Sequence, residues 1–190
     1  QALSQIQRLH SFDAKTIPAY VQLSESYGQR LYKWEQDYFL DNFVFEACKI
    51  KVSPAGTANL NKELEALSAR LQKIEPCLIH RDFQSQNIMI MNRKPVFIDF
   101  QGMRLGNFFY DLGSLICDPY VNFTDEERNE LISFYHQLRP EPVSAEEFTA
   151  RFWEASAQRL MQALGAYGFL GLKKNKPDFL KHLHGGIRNL

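Results

Sequence analysis

Residues 80–87 read HRDFQSQN and residues 97–102 read FIDFQG. Asp82, Asn87 and Asp99 are three oxygen-bearing side chains set around short apolar runs. Mg²⁺ prefers hard oxygen ligands and keeps several of its waters, so an amide carbonyl and a carboxylate suffice beside phosphate oxygens. Asn87 and Asp99 match that donor set. Asp82 could accept a hydrogen bond from an incoming hydroxyl. Phosphoryl transfer from ATP needs this combination, because a loose transition state asks for orientation and charge neutralisation more than for a strong base.

The elements around these residues must bring them together. Cys77-Leu78-Ile79-His80 is a short apolar run. Ile88-Met89-Ile90-Met91 and Val96-Phe97-Ile98 flank Asn92-Arg93-Lys94-Pro95, which predicts a hairpin with its turn over 92–95. A hairpin joins its two ends, so Asn87 and Asp99 become neighbours. A two-stranded hairpin is not stable alone and must lie on helices.

Helices fill the rest of the reading. Leu3, Ile6 and Leu9 open the chain at helical spacing. The segment 25–45 carries Tyr27, Leu31, Trp34 and Tyr38. Leu60, Leu64, Leu67, Leu71 and Ile74 form one apolar stripe over 58–74, stopped by Pro76. After the hairpin everything reads as helix. Thr124 with Glu127, and Ser144 with Glu147, are capping-box pairs. Gly165, Gly168 and Gly171 weaken the far end of the second helix. A last helix is predicted over 177–184, with Gly185-Gly186 after it. The fold class is α+β, mostly α, over residues 1–190 as one domain.

Composition narrows the partners. The chain has 190 residues, 22 basic and 22 acidic, so no charge excess asks for nucleic acid or an anionic membrane. No apolar run approaches a membrane span of roughly 20 residues. Three separated cysteines argue for a reducing, cytoplasmic setting rather than a disulfide scaffold. Cys77 and His80 form a C-x-x-H with no second ligand pair, read as residues in and beside a strand.

HRDFQSQN resembles the kinase catalytic loop H-R-D-x-x-x-x-N at every fixed position. Asp99-Phe100-Gln101 stands where protein kinases carry Asp-Phe-Gly, and Gln101 in place of the glycine suggests a fixed metal site. No Ala-Pro-Glu follows. YDLGSLICDPY, residues 110–120, follows instead, and the combination is similar to the aminoglycoside phosphotransferase and choline kinase family of small-molecule kinases. The resemblance implies the C-terminal lobe of a protein-kinase-like fold, helical with a small β-hairpin insertion carrying the catalytic loop. It implies ATP and Mg²⁺, a small-molecule hydroxyl acceptor, Asp82 as base and Asn87 and Asp99 as metal ligands. Asp111 would brace the catalytic loop, and His80 would pack beside it and hydrogen-bond backbone. Residues 158–170, QRLMQALGAYGFL, are similar to a helix of bacterial kinases that phosphorylate the anomeric hydroxyl of N-acetylated amino sugars. Choline, homoserine and aminoglycosides are the family's other acceptors, and a kinase-fold binding module without catalysis is the alternative from another class.

Acceptor contacts are expected from Arg81, Gln84, Glu35 and Arg159, the last toward an anionic group. Arg81, Gln84 and Gln86 read equally as loop polarity, and Glu35 and Asp37 as a solvated helix face. Trp34 and Tyr38 are core residues at that spacing, or else a sugar or cation platform. A phosphate-covering glycine loop and its lysine are not found; Lys49 and Lys51 are the candidates for the lysine. The N-terminal ATP-binding lobe is therefore expected to be absent from this chain. Alone, the chain is expected to bind nucleotide poorly and not to turn over.

Overall fold

The computed structural model of the chain describes residues 1–139 and 141–190. Helix α1 (Ala2–His10) buries Leu3 and Ile6 against the first strand. Helix α2 (Gln29–Phe39) runs on into a π-helical stretch, Leu40–Ala47. Helix α3 (Pro54–Leu71) starts earlier than the leucine stripe predicts. The Ser53 hydroxyl caps it by accepting from the Gly56 N–H, and Pro54 needs no partner at the first position.

Two small antiparallel sheets flank the HRDFQSQN and FIDFQG segments. Strand β1 (Cys77–Ile79) pairs with β4 (Arg104–Gly106), and β2 (Ile88–Met91) pairs with β3 (Lys94–Phe97). The hairpin turn is tighter than predicted. Met91 pairs with Lys94, so only Asn92 and Arg93 turn, both at positive φ (51° and 60°). Lys94 and Pro95 belong to the strand. Strand β4 corrects the all-helical reading of the later chain; three residues, RLG, are too short a run to declare a strand.

Helix α4 (Phe108–Ile116) is buried on almost every side. Helix α5 (Asp125–Leu138) begins on the predicted Thr124–Glu127 box, with both hydrogen bonds present. Helix α6 (Ala145–Gly168), capped by Ser144, is the spine on which α2 and α4 pack. Its glycines correct the sequence reading: they permit contact rather than weaken the helix. A Cβ on Gly165 would stand 3.0 Å from the Phe39 backbone, and one on Gly168 would stand 2.3 Å from the Asn42 carbonyl oxygen. The chain ends in a 3-10 segment, Pro177–His182, and α7 (Leu183–Asn189). Gly185-Gly186 lie inside α7, where they let it approach Pro119 and Leu164.

One cluster, including Ile6, Tyr32, Ile79, Phe83, Phe108, Leu112, Tyr135, Phe148 and Phe152, forms the main core beneath the catalytic loop. Among the described residues no helix is long and apolar enough to cross a membrane.

Candidate active site

Strand β1 ends by delivering His80 and Arg81 onto a single carboxylate. The Asp111 carboxylate, from α4, accepts from the His80 N–H at 2.7 Å and the Arg81 N–H at 2.8 Å. Asp111 thereby ties the end of β1 to α4. His10 reaches Asp111 from behind through Nε2 at 2.9 Å, and its Nδ1 meets the Tyr135 hydroxyl. Burial, which outweighs the raising influence of Asp111, holds the His10 imidazole below its ordinary value. A second carboxylate, Asp118, accepts from the Ser85 N–H at 2.6 Å further along the loop. His80 departs from expectation. Its ring lies near Phe83 and Phe97, and neither ring nitrogen has a hydrogen-bond partner among the described residues.

The loop closes on Asn87. Its Nδ2 donates to the Asp82 carbonyl at 2.9 Å, and its own carbonyl accepts from the Ile98 N–H at 3.0 Å. The hairpin thus joins Asn87 to the residue before Asp99. Asn87 Oδ1 makes no hydrogen bond among the described residues. Asp99 sits in the left-handed region at φ 63° and accepts from the Gln101 amide; Arg81 is also left-handed, at φ 78°. Two non-glycine residues held there are strain of the kind functional sites retain. A Cβ on Gly102 would stand 3.6 Å from Asp82 Oδ2, so the segment after Asp99 flanks Asp82.

Asp82 faces two guanidinium groups. Arg81 Nη1 donates to Oδ2 at 2.7 Å, and Arg159 Nη2 stands 3.8 Å from Oδ1. Burial pushes the Asp82 carboxyl up, but the two arginines outweigh it and hold it below its ordinary value. Asp82 is therefore an ionised acceptor near neutral pH.

Glu35 is not where a solvated or acceptor-facing residue would be. Its carboxylate is fully buried and accepts from Tyr27 and Tyr110 hydroxyls, both at 2.8 Å, and from Gln158 Nε2 at 3.0 Å. Helix α2 turns this side toward α6, so the residue is a buried counter-charge 4.0 Å from Arg81 Nη2 rather than an acceptor contact. Burial raises its carboxyl above the ordinary value, against the lowering by these donors and by Arg81.

The remaining candidates are dispersed. The Gln84 carbonyl accepts from the Asn87 N–H, while its side chain makes no hydrogen bond among the described residues. Gln86 is exposed. Asp37 pairs with Lys33 on a half-exposed face. Trp34 is 51% exposed and stacked on Tyr38 at 5.1 Å, which corrects its core reading. Lys49 is exposed and pairs with Glu46, and Lys51 is also exposed. Sequence reasoning missed His10, Asp118, Tyr110 and Gln158. Asp118 alone had a local signal, the Asp-Pro turn, in which Oδ1 accepts from the Tyr120 N–H.

Among the described residues no group of three or more His, Cys, Asp or Glu side chains is placed to hold a metal. A cation here would complete its shell with waters and with oxygens of a bound reactant, and the pair of Asn87 Oδ1 and Asp99 has the hard-oxygen chemistry that suits Mg²⁺.

Residues 2–148 match the phosphotransferase enzyme family (APH). An N-acetylmuramate/N-acetylglucosamine kinase of Neisseria meningitidis serogroup B is 30% identical over 115 residues, 56% of this chain and 34% of that protein. A protein of the same name from Pseudomonas putida is 26% identical over 162 residues, 82% of this chain and 47% of that protein. The chain thus spans half or less of the length of these curated relatives. A choline/ethanolamine kinase family protein from Mesorhizobium loti superposes with a TM-score of 0.64 at 18% identity, over 99% of this chain and 58% of that one. The gentamicin complex of APH(2″)-IIa gives 0.58 at 15% identity, over 98% and 60%. At these identities the superpositions establish the fold, a kinase-like helical one with small antiparallel sheets. With the family matched over residues 2–148, most of its length, the chain belongs to the phosphotransferase enzyme family.

Proposed function

We propose that the protein containing this chain moves the γ-phosphoryl group of ATP to a hydroxyl of a small molecule. Asp82 orients the acceptor hydroxyl and takes its proton. The hydroxyl oxygen bonds to phosphorus as the bond to the ADP oxygen breaks, giving ADP and a phosphate ester. Asn87 Oδ1 and the Asp99 carboxylate would hold Mg²⁺, which supplies neutralisation of the phosphate charge. The N-terminal ATP-binding lobe would lie outside these 190 residues. The observation that carries the reading is Asp82 itself. Its carboxylate is ionised and oriented by two arginines, on a loop held by Asp111 and Asp118 and closed onto Asn87.

An amino sugar is the acceptor we favour, phosphorylated at its anomeric hydroxyl. Both curated relatives above are named as kinases for N-acetylmuramate and N-acetylglucosamine, which supports it. One observation favours a quaternary ammonium acceptor instead: the half-exposed Trp34 stacked on Tyr38.

The test is ATP consumption by the full-length gene product against N-acetylated amino sugars, neutral hexoses, choline, homoserine and an aminoglycoside. Turnover with an amino sugar, lowered about a hundredfold or more by Asp82→Asn, is the expected result. Asn87→Ala and Asp99→Asn should raise the Mg²⁺ requirement. Turnover retained in Asp82→Asn would overturn the assignment of the base. No turnover with any acceptor and no Mg-ATP binding would establish a kinase-fold binding module.

A further inference from the structure

Among the described residues, Arg159 is the buried cation beside Asp82 that no carboxylate meets within hydrogen-bond distance. It is 6% exposed on α6. Its Nε donates to Ser114 Oγ and its Nη1 to Gln162 Oε1, each at 2.8 Å, so two neutral partners fix the guanidinium plane. The third nitrogen, Nη2, makes no hydrogen bond among the described residues. The carboxylate oxygen it faces, Asp82 Oδ1, is 3.8 Å away, too far for a hydrogen bond, and Asp82 is already bonded to Arg81 through Oδ2. A buried guanidinium is costly unless an anion meets it in good geometry.

The two oxygens of Asp82 look to different sides. Oδ2 faces Arg81 and Gly102, the latter in the segment that follows Asp99. Oδ1 faces Arg159 and α6. If Asn87 and Asp99 hold the metal of the phosphate donor, as proposed above, the donor lies on the Asp99 side and the Arg159 side is left to the acceptor.

We propose that Arg159 recognises an oxyanion carried by the acceptor, so that the preferred substrate is an amino sugar bearing a carboxylate on a ring substituent away from the phosphorylated hydroxyl. This deepens, and rests on, the kinase reading given above. The planar fork of Arg, held at Nε and Nη1, suits carboxylate recognition in a way a lysine does not.

Two N-acetylated amino sugars that differ only in a carboxylate-bearing ether, N-acetylmuramate and N-acetylglucosamine, test it with the full-length gene product. Wild type should prefer the carboxylated sugar. Arg159→Met should lower kcat/KM for that sugar at least about tenfold more than for the neutral one, mainly through KM. Arg159→Lys keeps the charge and should recover part of the difference. Equal losses for both sugars would assign Arg159 to the phosphoryl group or to Asp82 and overturn the proposal, as would a wild type with no preference. If Arg159→Met does not fold, the KM of Arg159→Lys for the two sugars decides. Calorimetric titration of both sugars into Asp82→Asn keeps the two readings separable. Carboxylate-selective binding that depends on Arg159, in a protein that never consumes ATP, would sink the kinase reading and leave this one standing.

Discussion

Glu35 Oε1 lies 4.0 Å from Arg81 Nη2, and the same Arg81 guanidinium bonds Asp82 on its other side. A buried carboxylate on α2 therefore supports the arginine that orients the proposed base. Replacing Glu35 with Gln keeps an acceptor for the two tyrosine hydroxyls. It sets an NH₂ against the Gln158 NH₂ and removes the charge opposite Arg81. We expect a loss of about 2 kcal/mol in stability, read by chemical denaturation. An unchanged denaturation midpoint would mean that Glu35 is already neutral in the fold.

Asp111 gathers the His80 and Arg81 N–H groups and His10 on one carboxylate. In Asp111→Asn the amide nitrogen must oppose at least one of these donors. The expected cost is about 2–4 kcal/mol, with faster hydrogen exchange at the His80 and Arg81 amides than elsewhere in the loop. Uniform acceleration across the chain would show only global destabilisation, not a local brace.

His10 makes stability pH-dependent. Its folded value lies below the ordinary 6.5 because burial outweighs Asp111, with Arg139 and His80 also lowering it. Between the two values the unfolded chain binds the extra proton. The contribution is therefore complete above about 6.5 and is lost as the pH falls below it. His182, also lowered, acts in the same direction. The difference between wild type and His10→Asn across pH 5–8 isolates the His10 part; parallel profiles would refute it.

Gly168→Ala should destabilise by about 1–3 kcal/mol, since its Cβ would meet the Asn42 carbonyl oxygen at 2.3 Å. Gly28→Ala, at an extended residue with nothing within 4 Å of the added Cβ, is the control and should fall within about 0.5 kcal/mol of wild type. Equal effects would mean that α6 and the π-helical stretch Leu40–Ala47 separate freely.

What the sequence disclosed was local chemistry. Asn92-Arg93-Lys94-Pro95 between two apolar runs announced a hairpin, Thr124 and Glu127 announced a helix start, and the spacing of Asp82, Asn87 and Asp99 announced one loop and one turn. What it concealed depends on partners far along the chain. Glu35 has the spacing of a surface residue, and only Tyr110 and Gln158 reveal that it faces inward. His10 closes an amphipathic helix like any other terminal polar residue until α4 and α5 enclose it. Gly165 and Gly168 look like helix breakers because the carbonyl and backbone they accommodate belong to α2 and the π-helical stretch beyond it. Strand β4 exists only because β1 lies beside it.

Asp111 and Asp118 grip the catalytic loop by main-chain N–H groups, at His80, Arg81 and Ser85. Such a hold does not depend on which side chains the gripped residues carry. Mutation can therefore exchange the side chains at positions 84, 85 and 86 while the loop keeps its path, whereas Arg81 is held back by its bond to Asp82. The surface of the loop is thus free to change by small steps while the geometry around Asp82, the proposed base, stays fixed from the far side by α4 and the segment after it.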